Sequence, residues 1–225
     1  MKLKDTLENY SFVLPAVLIF SIFYIVPLFW VLHLSMYQWD GILPTKVFVG
    51  FRNFLEIARD KIWWKAMYQA GYITLIALTF QNALALTLAW ACDRDIKGGN
   101  IYRTIFYLPP VLSEVVVGLV WRWIYDGNYG LLNHWLTNLG LSHLVRDWLS
   151  DPKTALTVVA TIHCWKGFGW GFIIFLAGLQ TIPKQLYEAA KADGASSWQI
   201  FQKVTMPLMV PVFILVSILT ILGTM

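Results

Sequence analysis

The sequence predicts an all-α, polytopic membrane-spanning bundle, and three observations carry that prediction. Apolar residues make up 58% of the 225 positions and charged residues only 13%, so a soluble domain of this size would lack the polar surface to cover itself. The apolar residues also gather into runs of about 20, the length that crosses a hydrocarbon core at about 1.5 Å of rise per residue. Aromatics reach 16%, with 12 Trp among them, a residue that collects at membrane–water interfaces.

One transmembrane domain is expected over residues 1–225, with spans at about 12–34, 70–91, 104–125, 155–179 and 208–225. The first, FVLPAVLIFSIFYIVPLFWVLHL, follows Lys2 and Lys4 as a secretory signal would. Its apolar run is longer than a signal's, and no small-x-small cleavage site follows, so it reads as a retained anchor. Pro15, Pro27, Pro109 and Pro110 fall within or at the ends of spans. Kinks are expected there, tolerated where neighbouring helices satisfy the freed backbone groups.

Lys and Arg in short loops set the direction of the spans. The link 92–103 (CDRDIKGGNIYR) carries three basic residues, and the link before the last span carries Lys184, Lys191 and Lys203. Both links and the N-terminus are therefore expected on the cytoplasmic side. The link 35–69 opposes this with Lys46, Arg52, Arg59, Lys61 and Lys65, partly offset by Asp40, Glu56 and Asp60. The chain ends inside its fifth apolar run, at ILGTM, and reads as C-terminally truncated.

Between the fourth and fifth spans, at about 182–207, lies a polar stretch that includes EAAKADGASSWQIFQKVTMP. Pro183 suits a first helical turn, and 185–193 is rich in good helix formers. Gly194 permits the positive φ that ends a helix. Ser196 with Gln199 fits a capping box that starts another, with Trp198, Phe201 and Val204 along one face. Pro207 is expected to end or bend this second helix. Two short helices at a fixed angle follow, outside the membrane. Ala189, Ala190 and Ala192 leave the first thin enough for a groove on another protein, with an ordinary cytoplasmic loop as the alternative.

Glu114 and Lys166 stand inside the third and fourth spans, each roughly 17 Å below the outer face at about 1.5 Å per residue. Intramembrane charges usually face a partner or a watery cavity. Pairing with each other or lining a solute path is expected, against a structural role in which Lys166 snorkels. Cys92 and Cys164 have no nearby Cys or His at ligand spacing and read as small buried side chains, so neither a disulfide framework nor a metal site is indicated. His33, His134, His143 and His163 show no mutual metal-binding spacing. Trp121, Trp123, Trp148 and Trp170 read as interface and packing residues rather than a sugar-stacking platform. Gly167 and Gly171, four apart, permit close helix contact. The formal charge of +4 is scattered, which excludes a nucleic-acid stripe. No repeated carboxylate, His or Ser constellation points to an enzyme.

The pattern Glu188-Ala189-Ala190, then Gly194, then Val204-x-Met206-Pro207 resembles the Glu-Ala-Ala signature of the membrane subunits of binding-protein-dependent ATP-binding-cassette importers. Val and Met stand where the family usually has Ile and Leu. LYEAAKADGASSWQIFQKVTMP, the Leu-Pro of the first span, FVGFRNF at 48–54, FYLPP at 106–110 and WRWIYDGNYGLLN at 121–133 resemble the carbohydrate-transporting, maltose/glycerol-phosphate permease-like branch. The resemblance implies a type I importer permease fold with a sixth span beyond this sequence. It also implies a bacterial inner-membrane location, and as partners cytoplasmic ATPase subunits, a second permease subunit and an extracytoplasmic solute-binding protein. The solute would be a sugar or related compound. ATP would be used by the partner ATPase, since this chain shows no GxxxxGK[ST] phosphate loop and no cofactor of its own is expected. Glu188, Ala189, Ala190, Asp193, Gly194 and Pro207 would then form the ATPase-coupling loop. An ion-gradient-driven secondary transporter is the rival reading, since it too would have intramembrane charges and broken helices; a non-transporting truncated fragment is another.

Overall fold

The structure is a computed structural model that describes residues 2–93 and 98–225. Arg94 and Lys97, two of the three basic residues of the link 92–103, lie outside the described residues. The chain divides into two units, Met1–Ala66 and Met67–Met225.

In the first unit, α1 (Lys2–Phe20) passes through a wide π-helical turn, Ser21–Ile25, into α2 (Val26–Leu34). Residues 12–34 form one apolar helix long enough to cross a membrane, with none of its residues buried. A two-stranded antiparallel ribbon follows, β1 (Tyr37–Gln38) with β2 (Val47–Phe48). Its connection is shaped by Asp40, whose carboxylate accepts from the amides of Ile42 and Leu43. Those two bonds, Ile42 first, hold the carboxyl below the usual carboxylate range. Asn53, on α3 (Arg52–Arg59), donates to the carbonyls of Ser35 and Tyr37 and so ties that helix to the ribbon.

The unit boundary falls within α4 (Lys61–Ile76), which continues through a π-helical turn, Ala77–Gln81, into α5 (Asn82–Cys92). The second expected span is therefore part of a longer helix, Lys61–Cys92. Its early turns are the basic, Trp-rich end of what the sequence reads as a link.

The third expected span, 104–125, is not one helix. It comprises α6 (Gly99–Val111) and α7 (Glu114–Ile124), bent by 96°. The kink expected at Pro109-Pro110 falls just beyond them, because both prolines stay helical and Leu112 and Ser113 adopt extended backbone. The prolines lack the N–H groups that would bond the carbonyls of Ile105 and Phe106, so the last turn of α6 is weakened and stops. After α7 comes an irregular segment holding α8 (Leu131–Asn138). Asn133 organises it, donating to the carbonyls of Gly127 and Arg146 at 2.9 Å and accepting from Trp148 Nε1 at 2.8 Å. Asp126 closes the entry turn by accepting from the amides of Tyr129 and Asn128, which hold its carboxyl below the usual range.

The centre of this unit is α9 (Ala155–Gln180), packed between α5, α6 and α12 (Met206–Thr224). Phe172, Phe175, Leu179 and Met209 are fully buried there. Lipid tails are as apolar as Leu, so close fit rather than water exclusion holds membrane helices together. Gly169 allows α6 to approach closely, since a Cβ there would lie 2.6 Å from the Phe106 carbonyl and 2.7 Å from the Pro110 ring. At Gly171 the added carbon would meet Ala85 Cβ at 3.2 Å, consistent with the close contact expected of the Gly167/Gly171 pair. Polar bonds add to the fit: Thr220 donates to Asn82 at 3.1 Å, and Thr74 and Thr224 share one at 2.7 Å.

Between α9 and α12 come α10 (Lys184–Ala192) and α11 (Ser197–Ile200). Pro207 does not end the helix that α11 begins. A π-helical turn, Phe201–Thr205, joins α11 to α12, and residues 197–224 form one apolar helix. In that turn Met206 N–H bonds Phe201 O, five residues back. The bond lost to the widening would next fall on residue 207, which as proline has no N–H to lose. The same arrangement precedes Pro27, where Val26 N–H bonds Ser21 O. Among the described residues four helices, or five with the bent pair, are long and apolar enough to cross a membrane.

Candidate functional site

Two places in the second unit bring polar groups together, a cavity among the spans and the hairpin α10–α11.

The cavity has a volume of about 770 Å³. It is walled mainly by apolar side chains of α7, α9 and α12, with Gln81, Glu114, His163, Lys166, Trp170 and Thr220 among its lining. The 96° bend delivers Glu114, the first residue of α7, to Lys166 on α9, 52 positions away. Lys166 Nζ lies 2.6 Å from Glu114 Oε1. The partners differ in setting, as the lysine side chain is 19% exposed and the glutamate 81%. The ammonium is thus rooted in the wall while the carboxylate reaches over it from the mouth.

Sequence reasoning assigned no role to His163 and did not single out Gln81 or Thr220. Gln81 is buried at the end of the π-helical turn, and its Oε1 has no donor among the described residues. Its amide rests on Gly167, where a Cβ would come within 2.6 Å. The polar pair Gln81-Asn82 inside an apolar run was the available signal, by the same reasoning that picked out the intramembrane charges. Trp170 lines the cavity and meets Tyr107 edge-on at 5.6 Å. Trp121 packs on Trp165 and Tyr125, and Trp148 bonds Asn133, as packing residues would. Cys92 and Cys164 are buried free thiols. Among the described residues no group of His, Cys, Asp and Glu is placed to hold a metal ion.

The hairpin is built from consecutive residues. α10 ends at Gly194, φ +76°, with Ala195 N–H bonded to Ala190 O and Gly194 N–H to Lys191 O. A side chain in that left-handed region would be strained. Ser196 and Gln199 form the reciprocal capping box, at 3.3 and 2.7 Å, that opens α11. Glu188, Ala189, Asp193 and Gly194 are exposed and Ala190 half-buried on α10 and its end, whereas exposed Pro207 lies on α12, outside the hairpin proper. The roots are anchored: Ile182 is buried in the α5–α9–α12 core, and Tyr187 and Phe201 pack on it. Tyr187 and Thr205 hydroxyls are 3.3 Å apart, and Trp90 meets the Phe201 ring at 5.3 Å.

Apolar helices around a cavity that holds an ion pair, with a stiff polar hairpin joined to the same core, define a polytopic membrane subunit of the transport type. The chain belongs to the family described as binding-protein-dependent transport system inner membrane component, which matches residues 81–225. It is 34% identical to a probable ABC transporter permease protein of Pyrococcus horikoshii, over 87% of this chain and 67% of that one. It is 30% identical to the trehalose/maltose transport system permease protein MalF of Thermococcus litoralis, over 97% of this chain and 74% of the relative. In fold it resembles a chain of a bacterial alginate ABC transporter solved in complex with an alginate pentasaccharide-bound periplasmic protein. That likeness has a TM-score of 0.76 at 23% identity, covering 97% of this chain and 73% of that one. The permease fold and the family expected from the Glu-Ala-Ala pattern thus hold.

Proposed function

We propose that this chain is one membrane subunit of an ATP-driven importer of a saccharide-class solute, and that the hairpin α10–α11 couples its spans to a cytoplasmic ATPase. The observation that carries the coupling is the seating of the hairpin. Its exposed face offers Glu188, Ala189 and Asp193 to a partner, while Ile182, Tyr187 and Phe201 lock its base into the core shared by α5, α9 and α12. Such a peg does not move alone. When the ATPase pair closes on ATP, displacement of α10 carries those three helices with it, and α9 and α12 are walls of the cavity. A two-state element biased from both ends is what coupling requires.

In this reading the hairpin lies on the cytoplasmic side, ATP is bound and hydrolysed by the partner, and a second permease subunit completes the path. A solute-binding protein delivers the cargo from outside. The saccharide class is supported by the trehalose/maltose relative and by the alginate-bound complex of the fold neighbour. Those two names span a neutral sugar and an acidic polysaccharide, and leave the charge of the solute open.

The test is site-directed crosslinking from Ala190→Cys in the assembled complex, with uptake followed in parallel. Crosslinks to an ATPase subunit, and uptake lost on ATP depletion, are expected. Uptake that survives ATP depletion and collapses with an ion gradient would overturn the reading in favour of a secondary transporter. Glu188→Lys is expected to abolish solute-stimulated ATP hydrolysis while membrane insertion persists.

A further inference from the structure

We propose that Glu114 is a specificity-determining residue that keeps the cavity electrically neutral, so that it accepts an uncharged polyhydroxylated solute and rejects an anionic one. The inference rests on the importer reading above and addresses the charge that reading leaves open. The cavity, about 770 Å³, falls in the size range of sites that enclose a small organic ligand, about 300–1,000 Å³. Its lining carries one carboxylate and one ammonium, with His163 the third titratable group. The two charges cancel at 2.6 Å.

The asymmetry of the pair gives it a direction. Lys166 is mostly enclosed, and an enclosed ammonium in a membrane protein demands a counter-charge. Glu114 supplies that charge through Oε1 and is otherwise open. A carboxylate has about four acceptor positions, so capacity remains for hydroxyl donors of a sugar. An anionic solute meets a wall whose positive charge is already taken and whose exposed partner repels it. Coulomb interaction with the enclosed ammonium is less screened than in bulk water, and specificity is the difference between the two solutes' affinities. Removing the carboxylate alone leaves Lys166 uncompensated, and the preference should turn toward an acid.

The experiment uses the assembled complex in lipid nanodiscs without the solute-binding protein, so that upstream selection is absent. Equilibrium binding of two probes is measured, maltose and its carboxylate-bearing analogue maltobionate. The unaltered protein is expected to favour maltose by about tenfold or more. Glu114→Gln should shift the ratio by at least about tenfold toward maltobionate. Glu114→Asp, which keeps the charge, should preserve the original order, and Glu114→Gln with Lys166→Met should abolish the acid preference. A ratio unchanged by Glu114→Gln, an original preference for maltobionate, or no saturable binding of either probe would each overturn the inference. Crosslinking from Ala190 in the same preparations reads the coupling independently. Where it persists and the ratio does not move, the charge filter alone fails.

Discussion

The hairpin and the cavity solve the problem of positioning a polar group in opposite ways. In the hairpin each determinant acts on its immediate neighbours: Gly194 on Ala195, Ser196 on Gln199. At and behind the cavity wall the determinants lie far apart in sequence, Glu114 with Lys166 and Asn82 with Thr220. The hairpin is short and largely exposed, so local capping is the available means of fixing its shape. The cavity walls sit where apolar attraction between helices is absent, so fit and cross-helix hydrogen bonds position them. The hairpin is thus locally specified, and the cavity is collectively specified.

Four substitutions would break or sharpen that contrast. Gly169→Val should have the largest effect, about 3 kcal/mol of stability, because the added atoms meet a carbonyl and a proline ring that cannot yield. Thermal unfolding in detergent would report it, and an unchanged midpoint would refute the tight α6–α9 contact. Gly194→Val should strain the hairpin turn by about 1–2 kcal/mol without disturbing the spans, which limited proteolysis confined to 184–207 would reveal. Ser196→Ala removes the cap of α11 and should weaken the hairpin by about 1 kcal/mol, read as faster amide exchange at Gln199. Thr220→Val should be the mildest, about 0.6 kcal/mol, visible as a small fall in the unfolding midpoint. If it exceeded Gly169→Val, polar bonds rather than close fit would govern the core.

The same contrast explains what could be read before the structure. The turn at Gly194 and the capping box were legible because their residue types act within a few positions. Glu114 and Lys166 stood out as charges in apolar runs, but their separation of 2.6 Å depends on the bend at Leu112–Ser113. That bend was displaced from the prolines that signalled it, since a proline's missing donor weakens the turn around it and tertiary packing chooses where the chain yields. Pro207 does not stop its helix, because its missing N–H is absorbed by a widened turn that no residue type announces. Gln81 and Asn82 were overlooked as amides rather than charges, although burial makes an unpaired amide nearly as conspicuous.

The widened turn at Phe201–Thr205 carries one surplus residue. Eight α-helical steps of about 100° would set Phe201 and Met209 about 80° apart, whereas seven would bring them within about 20°. Both pack in the same core, so the geometry does not count one of the intervening residues. Deleting Gln202 should therefore leave a plain helix with hairpin and span still correctly aimed, while a deletion within α9 would swing everything beyond it by about 100°. A surplus residue of this kind lets hairpin and span keep their relative aim through a change in helix length, a freedom that the uninterrupted α9 lacks.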